Sequence, residues 1–257
     1  PAARSLFPIA FRTFFKRDNS NDIYTRLVAD SVQEAFAAAK LAGITGLNIA
    51  YPFRMDAADV TDKSFRVVEN IGAVNTVLWG SDGKTGYNTE FQSMQPFLCR
   101  IFGEKIGNVL ILGTNPDAMA ASCGFAAAGW KVTILGNTLS SAVGCAVKCG
   151  GDAGEFDTLK KHITGADLVV CAGLDAGCNL NMNLIGGVPL LLLGCDEEFE
   201  AECASLNVVS NHSLVLAQAA IAYAIFTGTF PDDSAIEAAR IELEKKREKK
   251  KIISFIG

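Results

Sequence analysis

Four short, strongly apolar runs recur through the second half of the chain: NVLIL (108–112), KVTIL (131–135), ADLVV (166–170) and VPLLLL (188–193). Strands with so little polar alternation bury both faces, as happens in a parallel sheet covered by helices on each side. Between the first two runs, residues 116–129 open with Pro and close with Gly, which is helix punctuation. LSSAVGCAVKCG (139–150) supplies the next helix. Two β-α-β units in succession predict a doubly wound α/β domain.

The first half follows a looser pattern. SVQEAFAAAKLA (31–42) reads as an amphipathic helix, and GLNIAY (46–51) as a strand running into Pro52. AVNTVLW (73–79) and TGYN (85–88) read as strands joined by the turn Gly80-Ser81-Asp82-Gly83. Two helices end the chain, one apolar over 211–227 and one increasingly charged over 233–251. The fold class expected is α/β, with an N-terminal α/β domain over 1–96 and a Rossmann-like domain over 97–230. A C-terminal helix over 231–257 is expected to pack back on the first domain.

At 257 residues and 49% hydrophobic, the chain can build its own core without disulfides or metals. The net charge of −5 argues against wholesale binding of a phosphate backbone. The exception is the run KKREKKK (245–251), a solvated helix face or a tether to nucleic acid or an acidic partner. The longest apolar stretch, Leu214 to Phe226, is broken by Gln218 and is too short to span a bilayer. The first residues show no charged segment followed by an apolar core, so no signal peptide is expected there. It starts on Pro1, which fits a processed or excised piece. Eight cysteines and two histidines show no metal-ligand spacing, so reduced, buried thiols in a cytoplasmic protein are expected. No metal site is expected.

The loop after the first apolar run reads Gly113-Thr114-Asn115-Pro116-Asp117-Ala118. A dinucleotide-binding turn wants G-x-G-x-x-G, and only the first glycine is present. Asn115 brings a side chain to the place of the second glycine, and Asp117 brings negative charge to the helix end that attracts anions. After the second run, Gly136-Asn137-Thr138 offers neither an acid for a ribose hydroxyl nor an Arg for a 2′-phosphate.

Four segments, GLNIAYPFR (46–54), ENIGAVNTV (69–77), GYNTE (86–90) and QAAIAYAIFTG (218–228), together resemble the shikimate dehydrogenase family in order and spacing. The resemblance covers residues 24–230 and the C-terminal helix. It implies two α/β domains with a cofactor and a small hydroxy acid in the cleft between them. It implies substrate-contacting amides at Asn48, Asn75 and Gln218, with Asn88 and Thr89 in place. The family's proton-transfer Lys is Arg54 here, and its Asp partner is Glu90. The family's substrate-binding serines have no counterpart in Pro8-Ile9-Ala10-Phe11-Arg12-Thr13-Phe14-Phe15. The cofactor positions become Gly113, Thr114, Asn115, Asn137 and Thr138, and the stretch Cys171–Gly177 departs from the family's pattern. The aspartate and tyrosine after the next strand become Gly194-Cys195-Asp196.

An Arg guanidinium stays protonated and cannot take the hydroxyl proton that hydride transfer releases. Four subsites are altered together. The resemblance therefore implies a ligand-binding, regulatory or scaffold protein that has lost NADP-dependent turnover. The alternative is an atypical shikimate or quinate dehydrogenase with Glu90 as base and Arg54 as electrostatic clamp. The cofactor is accordingly NADP or NAD, or none. The partners expected are a small hydroxy acid such as shikimate or quinate, with a protein partner or upstream domain left open.

Overall fold

The computed structural model describes residues 5–174, 178 and 180–254, with side chains to residue 245. By packing, the chain divides into two compact units, residues 1–89 with 212–257 and residues 90–211.

The first unit begins with helices α1 (Phe7–Arg17) and α2 (Val32–Leu41). Strand β1 (Gly46–Asn48), helix α3 (Arg54–Val60), strand β2 (Lys63–Ser64) and helix α4 (Arg66–Ile71) follow. Strands β3 (Thr76–Gly80) and β4 (Gly83–Tyr87) complete a four-stranded sheet in the order β1-β3-β4-β2. Gly80 pairs with Gly83, so the expected turn is a two-residue hairpin over Ser81 and Asp82. β1 stops at Asn48, short of the strand read over 46–51, and the chain then reaches a cis Tyr51-Pro52 bond.

The second unit runs from helix α5 (Thr89–Phe102), whose first residue closes the first unit, through β5 (Asn108–Leu112) and α6 (Pro116–Ala127) to β6 (Lys131–Gly136). Then come α7 (Leu139–Cys149), β7 (Asp152–Glu155), α8 (Leu159–His162), β8 (Leu168–Ala172), β9 (Leu190–Leu193) and α9 (Glu197–Glu202). The sheet is parallel, in the order β7-β6-β5-β8-β9. This is the doubly wound arrangement that the apolar runs predict. Leu110, Leu112, Leu135, Val169, Cys171, Leu190 and Leu192 form one core with Phe199 and Cys203. β7 is a strand beyond those expected, because DAGE carries no apolar run.

The last two helices, α10 (His212–Thr227) and α11 (Asp233–Ser254), belong to the first unit. The division therefore falls at 89/90 and 211/212, rather than at 96/97 and 230/231. The physical reason is α10, which packs on α1 and α11. Leu216, Ala219, Ala220 and Tyr223 of α10 meet Phe11 and Phe14 of α1 and Ala235, Ala239 and Leu243 of α11. The side chains of the basic run beyond Lys245, and residues 175–177 of the stretch 171–177, lie outside the described residues.

Candidate functional site

Residues singled out from the sequence fall in both units. In the first, the β1–β3 register sets Asn48 opposite Thr76. Asn48 Nδ2 donates to Thr76 Oγ1 at 2.9 Å, and Thr76 Oγ1 donates to Asn75 Oδ1 at 3.2 Å. The same Asn75 oxygen accepts the Thr89 main-chain N–H at 2.8 Å and its hydroxyl at 3.1 Å. A main-chain N–H can only donate, so this contact fixes which end of the Asn75 amide is the oxygen. Asn75 is 4% exposed. Its Nδ2 makes no hydrogen bond among the described residues. Asn88 is tied to the Ala73 carbonyl at 3.0 Å.

Tyr24, which no motif in the sequence singles out, enters this network from the other side. Its hydroxyl donates to Asn48 Oδ1 at 3.0 Å, and its ring stacks on Phe11 with centroids 4.2 Å apart. Burial raises its pKa well above the ordinary tyrosine value. Nothing local marks Tyr24, because its partner lies 24 residues on. The segment aligned with the family's serines, Pro8–Phe15, lies within α1, where Phe11 and Phe14 are core residues.

Arg54 is the first residue of α3. Its Nε donates to the Ile49 carbonyl at 3.4 Å, and its own carbonyl accepts the Val74 N–H at 2.8 Å. Arg54 is thus held between the residue after Asn48 and the residue before Asn75. Gln218, on α10, is 8% exposed, and its amide makes no hydrogen bond among the described residues. Glu90 is the first residue of the second unit and is 4% exposed.

In the second unit, Gly113 follows β5 with φ +127, a conformation that L side chains rarely adopt. Asn115 is the N-cap of α6, and its Oδ1 accepts the Ala118 N–H at 2.9 Å. Its amide nitrogen fills the space that a Cβ on Gly173 would take, just after β8. Asp117 is 9% exposed, and its carboxylate likewise fills the Cβ position of Gly194, just after β9. The carboxyl ends of these strands are where open α/β sheets hold ligands. Here that space is taken by the protein's own amide and carboxylate. A pyrophosphate seated on the α6 N-terminus does not fit, since it needs free N–H groups and no opposing charge.

At the next strand end, Asn137 is exposed and Thr138 is the N-cap of α7, accepting the Ser141 N–H at 3.3 Å. A residue absent from the sequence reading joins it. Glu155, the last residue of β7, pairs with Gly136, and its Oε1 accepts the Leu139 N–H at 3.0 Å. A search for an acid limited to the end of the second strand misses it, because it arrives from the neighbouring strand.

The buried cysteines nearby are not activated. Burial pushes the Cys123 and Cys195 thiols up to about 11, and Cys171 well above its ordinary value. Among the described residues no group of three or more His, Cys, Asp or Glu could hold a metal ion. No described helix is long and apolar enough to cross a membrane.

Comparison with known proteins agrees with this architecture. Residues 1–77 match the shikimate dehydrogenase substrate-binding domain. A shikimate dehydrogenase (NADP(+)) of Halorubrum lacusprofundi is 30% identical over 239 residues, covering 84% of this chain and 85% of that protein. One from Pyrococcus abyssi is 23% identical and covers 95% of both. The crystal structure of shikimate 5-dehydrogenase from Thermus thermophilus, in complex with NADP(H) and shikimate, superposes with a TM-score of 0.74. It is 23% identical, covering 93% of this chain and 95% of that one. With that identity to the Halorubrum protein over most of both lengths, the chain belongs to the shikimate dehydrogenase family.

Proposed function

We propose that this protein binds a small cyclic hydroxy acid of the shikimate or quinate class through Asn48, Asn75 and Gln218. We further propose that it has lost NADP-dependent hydride transfer and serves as a ligand-binding, regulatory or scaffold module. The observation that carries the second statement is the α6 N-terminus, where Asn115 takes the Ala118 N–H and Asp117 adds a carboxylate. The first rests on the spare donor of Asn75 and the unengaged amide of Gln218, which suit the hydroxyls of a polyol acid. The Thermus relative's complex with shikimate supports that ligand class. Arg54 agrees with the loss of turnover, because a guanidinium holds negative charge but takes no proton.

A second reading is favoured by the names of the relatives, which are NADP(+)-dependent shikimate dehydrogenases. In it Glu90 takes the hydroxyl proton, Arg54 stabilises the alkoxide, and NADP or NAD would supply the hydride acceptor.

Thermal shift and turnover assays on the purified protein separate the two. Shikimate or quinate at 100 times its Kd should stabilise the fold by about 2.7 kcal/mol. Gln218→Ala should abolish the shift, and no NADP reduction should accompany binding. Turnover at about 1–1000 per second would establish the dehydrogenase reading instead. Failure of both acids to bind would remove the hydroxy acid itself.

A further inference from the structure

The hydrogen bonds around Asn48 all run in one direction, and a single main-chain group sets it. The Thr89 N–H donates to Asn75 Oδ1, so the atom that Thr76 Oγ1 meets at 3.2 Å is an acceptor. Thr76 therefore donates there, which spends its one hydrogen. Its oxygen can then only accept from Asn48, so Asn48 presents Nδ2 to Thr76 and Oδ1 to the other side. There the Tyr24 hydroxyl donates at 3.0 Å, the one hydrogen bond this oxygen makes among the described residues. Asn48 is thus held at both ends of its amide and keeps one Nδ2 hydrogen.

Tyr24 is itself fixed from α1. Residues 20–29 form neither helix nor strand, so no backbone ladder places it. Its ring stacks on Phe11 and packs against the core that Phe11 shares with Tyr223 and Phe226 of α10. A ring restrained in this way delivers its hydroxyl to one point at little further cost in rotamer freedom. Burial keeps that hydroxyl protonated beyond the ordinary tyrosine range, so the donor persists.

We infer that Tyr24 is a positioning residue for ligand recognition, which holds the Asn48 amide so that its remaining N–H, with those of Asn75, meets an acceptor oxygen of the bound hydroxy acid. This rests on the proposed binding of such an acid by Asn48, Asn75 and Gln218. Tyr24 acts through Asn48 and donates nothing to the ligand, because its one hydrogen is already committed. Without it the amide is held by the single bond to Thr76 and swings about that bond, so its N–H is no longer aimed. Helix α1 then takes part in recognition indirectly, through Phe11 and the stacked ring.

The test is calorimetric binding of shikimate and quinate to wild type, Tyr24→Phe, Asn48→Ala and the double variant. Tyr24→Phe keeps the ring and its stacking and removes only the hydroxyl. It should weaken binding about 3- to 10-fold, the worth of one hydrogen bond. The double variant should bind no more weakly than Asn48→Ala alone, since Tyr24 has nothing left to position. A merely structural role would move the urea midpoint and leave the two affinity losses additive. Wild type gives a reading that needs no variant: the Asn48 side-chain amide resonances should shift in 1H–15N spectra as the acid is added. Unmoved resonances would overturn the inference. Tyr24→Phe binding as tightly as wild type would overturn it too and leave the proposed function standing. So would a double variant weaker than Asn48→Ala by the full Tyr24→Phe factor, which would make Tyr24 a direct contact. Failure of wild type to bind either acid would remove the proposed ligand class, and this role of Tyr24 with it.

Discussion

The two units handle their polar groups in opposite ways. In the first, the Asn48–Thr76–Asn75–Thr89 network is internally consistent, yet it leaves Asn75 Nδ2 and the Gln218 amide unengaged. In the second, the corresponding groups are turned on the protein itself. Asn115 caps its own helix, Asp117 fills a gap beside Gly194, and Glu155 caps the neighbouring helix. A polar side chain that satisfies its own backbone stabilises the fold and is withdrawn from ligand chemistry. Spare hydrogen-bonding capacity, rather than polarity, therefore distinguishes a binding surface from a finished one.

Alkaline titration should separate the units most strongly. In the second unit the folded-state pKa values of Cys123 and Cys195 are raised to about 11, with Cys171 higher still. An unfolded thiol titrates near ~8.5, so above that pH the folded state binds more protons than the unfolded one and stability falls. Each fully affected thiol removes about 1.4 kcal/mol per pH unit until its folded pKa is reached. In the first unit the raised groups are Tyr24, by burial, and Tyr223, by burial and its hydrogen bond to Asp18. Their contribution begins to be lost only near pH ~10. Each unit holds one tryptophan, Trp79 in the first and Trp130 in the second. Urea midpoints read from Trp79→Phe and Trp130→Phe variants, under reducing conditions, should fall first for Trp130. The reverse order would break the comparison.

Asn75→Ala should cost about 2 kcal/mol, because it strands the buried Thr89 N–H, and should also weaken hydroxy acid binding. Urea denaturation measures the first and thermal shift the second. Loss of binding without loss of stability would mean that the network does not hold the site. The smallest effect has the opposite sign. Ser122 Oγ, on α6, is buried with no hydrogen-bond partner among the described residues. Ser122→Ala should stabilise the second unit by about 0.5–1 kcal/mol, since it removes a desolvated hydroxyl and improves helix propensity. A destabilised variant would show that the hydroxyl is used.

The parallel sheet is legible in the sequence because NVLIL, KVTIL, ADLVV and VPLLLL are buried on both faces and carry that fact in their composition. β7 is not, because DAGE is a polar strand at the sheet's edge, held only by β6. Asn48 and Asn75 are legible through their motifs. Tyr24 and Glu155 are not, because each acquires its role through an approach between distant residues. The sequence places α10 with the wrong neighbours for a related reason. It is apolar almost all round, and only its packing on Phe11 and Phe14 shows which core it serves.

The division at 89/90 and 211/212 makes the first unit discontinuous and the second an insertion within it. On the ribosome, α1 emerges early with Phe11 and Phe14 facing a core that does not yet exist. Residues 90–211 must be made before α10 appears, roughly 6–24 s of synthesis at about 5–20 residues per second. The inserted sheet has all its strands in hand by then. The aromatic face of α1 waits for α10 and α11, so a truncation before residue 212 would leave that face open.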